Sequence, residues 1–306
     1  MRAYDHAIQN FAVAEHLLHL HQLLRDLQSY EPGKDFELAV CQRLELKPES
    51  ALHHAKNQHL LCGISATLPL PSCLLVKEGM DFLLRQAVLV ASSAIESYFW
   101  DTLRENTLTV IKAKGRKADP SLRAITLTVD DYLSLEGYAD PDERLREIIL
   151  KRFESGTIYD FKKIEEIAGI LTVRNFWVEV EKEIGLKPSE LQPRLNTLIN
   201  RRNKITHRAD HPDKDTNPEE IDSHGLRAMS HAWASTHVTT AKSFVMAADT
   251  VIKKAVALLE QYIGQRVEQE LAQKTLKVSG HAAGTSSASA TLTVVPAPSK
   301  PPEESK

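Results

Sequence analysis

The sequence predicts an all-α protein, an antiparallel bundle of about four or five core helices with additional N-terminal helices and a disordered C-terminal tail. Apolar residues recur at intervals of three and four along most of the chain, which is the helical period. Stretches containing glycine or proline, such as residues 31–33 and 185–188, separate these periodic segments. No segment before the tail combines strand alternation with a hairpin turn.

Residues 1–75 are predicted to form a helical extension that packs against the main bundle. A helix over residues 4–30 is predicted, with one apolar face that consists of Val13, Leu17, Leu20, Leu24 and Leu27. Two shorter helices are predicted over residues 35–46 and 49–64. The prolines of residues 68–72 then end the helical pattern.

Residues 76–276 are predicted to form the main bundle. Its longest helix, over residues 78–112, has a continuous apolar stripe of Leu84, Val88, Ala91, Ile95 and Phe99. A connector with a short helical piece near residues 130–135 follows it. The remaining helices are predicted over residues 142–153, 159–171, 173–184, 191–208 and 226–276, with Ser189 as the N-cap of the helix at 191–208.

From about residue 277 to residue 306 the composition shifts to Ser, Ala, Thr, Gly and Pro. This segment has too few large apolar groups to form a core, so it is predicted to be a disordered tail.

The overall composition limits the classes of function. With 38 basic and 41 acidic residues the net charge is −3, so any affinity for RNA must come from a local basic patch. Cys41, Cys62 and Cys73 are too few and too widely spaced for a disulfide framework or a CxxC metal site. They indicate a cytoplasmic protein with reduced thiols. We find no signal peptide and no run of 18 apolar residues, so no membrane span is expected.

The segment Leu191 to Arg208, LQPRLNTLINRRNKITHR, contains the residues with the most distinctive chemistry. Its apolar residues fall within an arc of roughly 120° on an ideal helix, and Arg202 lies near the centre of that arc. A guanidinium in a buried stripe is unfavourable unless it is paired. Arg202 is therefore expected to face a cleft, a partner chain or an anionic ligand.

Asn203 and His207 lie four residues apart on one face of this helix, next to Arg202. Together they bring a permanent cation, an amide and a group that exchanges protons near neutral pH to one end of the helix. Such a set suits phosphodiester chemistry, because the arginine can hold a phosphate and the histidine can act as general acid or base.

The octet RRNKITHR ends this helix and leads into a polar loop at residues 209–218. In this form it resembles the Arg-Asn-x-x-x-His motif of the HEPN superfamily of helical ribonucleases, and it is most similar to the RiboL-PSP-HEPN group. The upstream segments ASSAIESYFWDTL at residues 91–103 and IEEIAGILTVRNFWVEVEKEIGL at residues 164–186 agree with that resemblance. The resemblance covers roughly residues 79–264.

The resemblance implies a HEPN-type helical bundle that forms a homodimer, with two motif helices meeting so that both Arg-Asn-x-x-x-His sets line one cleft. It also implies a metal-independent endoribonuclease without a cofactor. In this enzyme Arg202 would hold the phosphate, Asn203 would position the phosphate or the imidazole, and His207 would transfer protons. Members of the superfamily commonly act as toxins or anti-phage defence effectors, which implies an antitoxin or defence-system partner.

Further residues are expected to support the site. Glu96 lies beside the apolar stripe of the helix at residues 78–112, and we predict that it pairs with Arg202 or orients His207. The alternatives for Glu96 are a surface position or a pair with Arg85. The basic side chains predicted to bind RNA are Arg194, Arg201, Lys204 and Arg208.

Two groups of residues invite a metal-site hypothesis. The first consists of histidines near the N-terminus, and the second lies in the loop after the motif helix, where His207, Asp210, His211, Asp213 and Asp215 occur. The N-terminal histidines lack a completing Cys or acidic pair, and Asp, Asn and Pro are the ordinary composition of a loop. We therefore predict no metal site.

A different class of function stays open on the sequence alone. The same basic cleft would also suit a module that binds RNA, a nucleotide or a partner protein without cleaving it. A purely structural helical dimer is the third reading.

Overall fold

The computed structural model describes residues 2–25, 27–29, 42, 51–55, 60–64, 79–153, 161–187 and 189–282. The predicted helical class is confirmed over this part of the chain. Its helices are α1 (Ala3–Arg25), α2 (Asp81–Lys114), α3 (Pro120–Arg123), α4 (Val129–Glu136), α5 (Pro141–Phe153), α6 (Phe161–Ile170), α7 (Phe176–Ile184), α8 (Leu191–Arg208) and α9 (His231–Ala282). Short 3-10 turns lie at Gly115–Lys117 and Pro218–Glu220.

A small antiparallel sheet accompanies the N-terminal helix. Its strands are β1 (Leu27–Ser29), β2 (Ala51–Ala55) and β3 (Leu60–Ile64), in the order β1-β2-β3. Ala51 is paired with Ile64 and Ala55 with Leu60, while Leu27 is paired with Ala55. The predicted helix over residues 49–64 is therefore wrong, because a short apolar run fits a strand as well as a helix. The helix predicted over residues 35–46 lies outside the described residues, apart from residue 42.

The buried face of α1 also differs from the prediction. The side chains against the bundle are Ala3, Ala7, Phe11, Ala14, Leu18 and His21, whereas Val13 and Leu20 are exposed. Three of these six side chains are alanines, which allow close packing of α1, and α1 and α2 are in extensive contact. Side-chain size therefore misidentified the face, since half of its buried positions are alanine. The helix also ends at Arg25 rather than at residue 30.

Helix α2 forms the centre of the bundle, and its predicted apolar stripe is confirmed. Leu84, Val88, Ala91, Ile95 and Phe99 are all buried. The centroid of the buried Phe99 ring lies 6.0 Å from that of Phe176 and 5.7 Å from that of Phe244. Trp177 stacks on Phe244 at 5.5 Å, so the prediction that Phe176 and Trp177 are core aromatics is confirmed.

The chain divides into two units, Met1–Glu260 and Gln261–Lys306. The first contains α1 to α8, the sheet and the beginning of α9. In the second, the described residues continue α9 as far as Ala282, and the rest of the predicted tail lies outside the described residues. The proposed boundaries near residues 75 and 276 stay predictions. None of the helices described is long and apolar enough to span a membrane.

Candidate functional site

Helix α8 is held at its N-terminal end by a neighbouring helix. Leu191, Leu195, Leu198 and Ile199 are buried, as the apolar stripe predicts. The buried carboxylate of Glu181 on α7 accepts the backbone N–H groups of Ser189 (2.9 Å) and Leu191 (3.0 Å).

Glu181 thus supplies the cap that the sequence assigned to Ser189. Ser189 itself is not the N-cap residue of α8, and it has a φ of +67°. Glu190 stands in the N-cap position and makes no side-chain capping hydrogen bond.

Burial decreases along α8 toward its C-terminal end. The residues up to Ile199 include the fully buried ones, residues 201–205 are half-buried, and residues 206–208 are exposed. Arg202 therefore lies where the helix leaves the core, and the cleft, partner chain or ligand that it was expected to face stays a prediction.

Two of the three residues of the predicted motif, Arg202 and Asn203, are in direct contact at this boundary. The Arg202 Nη1 group donates to Asn203 Oδ1 at 3.0 Å, so the amide and the guanidinium are in direct contact. Thr206 Oγ1 donates to the Arg202 carbonyl at 3.0 Å. His207 is exposed, one turn beyond Asn203. Among the residues that the structure describes, the His207 side chain has no hydrogen-bond partner, so its imidazole is accessible to a substrate.

Glu96 on α2 is half-buried. Within the described ranges, no hydrogen bond or ion pair joins Glu96 to Arg202 or His207. It also does not pair with Arg85, whose guanidinium has other carboxylate partners. The role predicted for Glu96 therefore stays a prediction.

The chain reverses immediately after α8 through two consecutive residues in the left-handed region. Ala209 has a φ of +48° and Asp210 a φ of +62°. The Asp210 N–H donates to the Lys204 carbonyl at 3.0 Å. Left-handed backbone costs roughly 1–2 kcal/mol for a residue with a Cβ, so the surroundings must hold this turn in place.

That support comes from a buried group that we name the Asp210 cluster: Asp210, Arg85, Arg201 and Asp222. The Asp210 carboxylate is fully buried, and its Oδ2 accepts Arg85 Nε at 2.9 Å and Arg201 Nη2 at 2.7 Å. Arg85 Nη2 also donates to Asp222 Oδ2 at 2.7 Å. Both guanidinium groups donate to the Arg227 carbonyl, at 3.0 and 2.7 Å. The cluster contains two cations and two anions, and it joins α2, α8 and the following loop.

The electrostatic balance in the Asp210 cluster favours the charged forms of Arg85 and Asp222. Burial alone would lower the pKa of Arg85, but the hydrogen bonds and charges of Asp210 and Asp222 outweigh it and raise that pKa. Burial alone would raise the pKa of Asp222, but the Leu226 N–H and the Arg85 guanidinium outweigh it and lower that pKa. For Arg201, burial outweighs the attraction of Asp210 and lowers the pKa.

Arg201 was predicted to bind RNA, and the structure places its side chain among buried contacts. Its guanidinium is only 16% exposed and is bonded to Asp210 and to the carbonyl groups of Arg227 and Ala228. These buried bonds tie Arg201 to the Asp210 cluster, and its predicted contact with RNA stays a prediction. Sequence reasoning missed Asp210, Asp222 and Arg85 as a group because Arg85 is 125 residues away from Asp210 along the chain.

A second ionic group lies at the same end of α8, which we name the Asp213 cluster: Asp213, Lys204, Arg208 and Arg227. Asp213 Oδ2 accepts Lys204 Nζ at 3.1 Å and Arg227 Nη2 at 2.6 Å, while Oδ1 accepts Arg208 Nη1 at 2.7 Å. The Asp213 side chain is 39% exposed. The Lys204 hydrogen bond and the three positive charges lower the pKa of Asp213.

Arg194, the remaining predicted RNA-binding residue, lies on the exposed face of α8 about two turns before Arg202. Its guanidinium is 3.5 Å from the carboxylate of Glu190, one turn earlier. In the described part of the chain, no group of three or more His, Cys, Asp and Glu residues is arranged to hold a metal ion. His53, His54 and His59 of the N-terminal histidine group have no described side chains.

Comparison with known proteins agrees with this geometry at the level of the family. The family model RiboL-PSP-HEPN matches residues 69–225, just over half of the 306 residues. The match includes the motif helix and every member of the two ionic clusters except Arg227. No significant match is found among curated proteins or among solved structures. The helical bundle and this match together show that the chain belongs to the RiboL-PSP-HEPN family of the HEPN superfamily.

Proposed function

We propose that this protein is a metal-independent endoribonuclease whose reactive groups are Arg202, Asn203 and His207. The observation that carries the proposal is their arrangement at the boundary of α8. A half-buried guanidinium contacts the amide, and an accessible imidazole follows one turn later on the same helix. HEPN domains are associated with ribonuclease or nucleotide-related activity, and this region lies within the family match.

The proposed reaction is an intramolecular transesterification of RNA. The ribose 2′-hydroxyl attacks the adjacent phosphorus, the bond from phosphorus to the 5′-oxygen breaks, and the products are a 2′,3′-cyclic phosphate and a 5′-hydroxyl. His207 accepts the proton of the 2′-hydroxyl or donates one to the leaving 5′-oxygen. Arg202 binds the phosphate and stabilises the charge of the pentacoordinate transition state. Because the nucleophile is a 2′-hydroxyl, the substrate is RNA and not DNA.

A second copy of the chain would complete this site. One proton must leave the 2′-hydroxyl and another must reach the 5′-oxygen, and each chain supplies one His207 at the end of α8. In a homodimer with two α8 ends side by side, one imidazole would act as base and the other as acid. Glu96 is proposed as a group that orients His207 within such an assembly. The RNA backbone would then contact Arg194, Lys204 and Arg208.

The biological setting belongs to the same proposal. A cytoplasmic toxin or anti-phage defence effector, kept in check by an antitoxin or defence-system partner, would be consistent with a nuclease of this kind. Expression of the wild-type chain in a bacterial host, compared with His207→Ala, tests the toxic effect directly. Equal growth of the two cultures would count against a toxin.

One observation favours a binding module as the second candidate. A catalytic base is usually oriented by another group, and His207 has no such partner among the residues described here. A module that binds RNA without cleavage would not need an oriented imidazole. RNA binding without any product formation by the wild-type protein would support this alternative.

The test of the proposed function compares two variants with two matched controls that lie outside the proposed set of reactive and RNA-binding residues. Arg202→Ala and His207→Ala are each expected to reduce cleavage by about 100-fold or more, since each removes a group that acts in the transition state. Arg123→Ala and His211→Ala, which change exposed residues of the same types, are expected to keep most of the activity.

Cleavage is measured in the presence of a chelator, with identification of both RNA ends. Full activity of both Ala variants in folded protein would contradict the proposal. Product that forms only when magnesium is added would contradict the metal-independent mechanism.

A further inference from the structure

The Asp213 cluster contains more positive charge than its own carboxylate balances. Three cations, Lys204, Arg208 and Arg227, converge on one carboxylate at 2.6–3.1 Å, which leaves a formal charge of +2. The Asp210 cluster, three residues earlier along the chain, contains equal numbers of cations and anions. The excess charge is therefore local to the end of α8 that carries His207.

The bonds of the Asp213 cluster are of the kind that a ligand can replace. The side chains of Lys204, Arg208 and Asp213 are 36%, 66% and 39% exposed, and exposed ion pairs contribute little to stability. Arg227 is the most fixed of the cations, because its Nη2 group also donates to Thr216 Oγ1 at 2.9 Å and its side chain is only 15% exposed. A planar guanidinium held in this way can donate to phosphate oxygens as it does to a carboxylate.

The loop does not depend on Asp213 for its attachment to the bundle. Asp210 and Asp222, at the two ends of the loop, are buried against Arg85, and the Arg227 carbonyl accepts from Arg85 and Arg201. Removal of the Asp213 charge would release the three cations and leave these buried contacts in place.

We propose that Lys204, Arg208 and Arg227 form a subsite for a backbone phosphate of RNA, and that the Asp213 carboxylate occupies this subsite in the absence of RNA. Asp213 thereby acts as an internal competitor that weakens RNA binding. This inference deepens the proposed function, because the subsite lies beside His207, one residue before Arg208. The inference adds Arg227 to the residues proposed to contact RNA, and it assigns Asp213 a regulatory role.

Other acidic groups of the same loop provide an internal comparison. Asp215 is exposed and, in the described part of the chain, bonds to none of the three cations. Asp213→Asn and Asp215→Asn therefore change the net charge of the loop by the same amount, but only Asp213→Asn frees the subsite.

The experiment measures binding of a 2′-O-methyl RNA oligonucleotide, which has no free 2′-hydroxyl to react, at several salt concentrations. Asp213→Asn is expected to bind about 3–10 times more tightly than the wild type at low salt, with a steeper dependence of log K on log salt. Asp215→Asn is expected to change the affinity less than about 2-fold, since exposed charges at a distance are screened. Equal or weaker binding by folded Asp213→Asn, or equal gains in both variants, would overturn the proposal.

A second variant keeps the test independent of the folding of Asp213→Asn. Arg208→Gln changes an exposed side chain. Introduced into the wild type, it is expected to weaken binding about 2–5-fold. Introduced into the Asp213→Asn variant, it is expected to weaken binding by a larger factor, relative to Asp213→Asn alone. No weakening in the wild-type background would exclude the subsite. Because the probe cannot be cleaved, the binding result stands whether or not the wild type cleaves RNA.

Discussion

Asp210 and Asp213 lie three residues apart in the same loop, and both bind more than one cation, but their surroundings differ. Asp210 is fully buried and shares one oxygen between Arg85 and Arg201. Asp213 is partly exposed and binds three cations with both oxygens. The first carboxylate stabilises the turn after α8, whereas the second leaves an excess of positive charge at the surface.

The comparison shows that burial decides what an ion pair contributes. When one partner of a buried pair is removed, the other stays as an uncompensated charge in a medium of low polarity. When one partner of an exposed pair is removed, water solvates the other. The same pairing of carboxylate and guanidinium therefore serves as framework in one place and as a replaceable contact in the other.

The largest effect is expected from Asp210→Ala. This change leaves the buried guanidinium groups of Arg85 and Arg201 without one of their anions and removes the support of the strained turn, so the free energy of unfolding should fall by about 3–5 kcal/mol. Asp213→Ala should change it less, because Lys204 and Arg208 become hydrated and Arg227 keeps its hydrogen bond to Thr216. Chemical denaturation of both variants measures the difference. Similar losses for the two variants would mean that the distinction between the clusters is wrong.

The pH dependence of stability is expected to separate Asp222 from Asp213. The pKa of Asp222 is lowered below its usual value of 3.8 in the folded protein, so its stabilising contribution is complete above pH 3.8 and is lost as the pH falls through the folded pKa. The pKa of Asp213 is lowered too, but the group is exposed to water and its contribution is screened.

In the wild type the free energy of unfolding should decrease as the pH falls below about 4. This decrease should be smaller in Asp222→Asn, and it should stay close to that of the wild type in Asp213→Asn. Denaturation curves at several pH values in this range provide the measurement. A wild-type slope that persists in Asp222→Asn would contradict the assignment.

The smallest effect is expected at the residue between α8 and Asp210. Ala209 has a φ of +48° and an exposed side chain, and glycine adopts this conformation without the clash of a Cβ atom. Ala209→Gly should increase the free energy of unfolding by about 0.5–1 kcal/mol, which is the relief of strain less the added entropy of the unfolded chain. Thermal and chemical denaturation measure it. A loss of stability would show that the turn is not strained at this residue.

The apolar pattern of the sequence identified some helix faces and not others. The stripe of α2 was predicted residue by residue, because Leu84, Val88 and Phe99 belong to a helix that is surrounded by the bundle. On α1 the pattern selected Val13 and Leu20, which are exposed, because half of the positions on the buried face are alanine and contribute little to the pattern. The strands Ala51–Ala55 and Leu60–Ile64 were missed, because five residues are too few to distinguish the two periods.

The sequence by itself determined the helical class, the family resemblance, and the presence of Arg202, Asn203 and His207 on one helix end. These features depend on spacings of at most a few residues, which the helical period converts directly into neighbours. Only the tertiary structure decided that Arg201 is bonded within the framework while Arg202 lies at the edge of the core, and that Arg227 and Asp213 adjoin the motif. Adjacent arginines are equivalent in sequence, and what separates them is burial against groups from distant parts of the chain, such as Arg85 and Asp222.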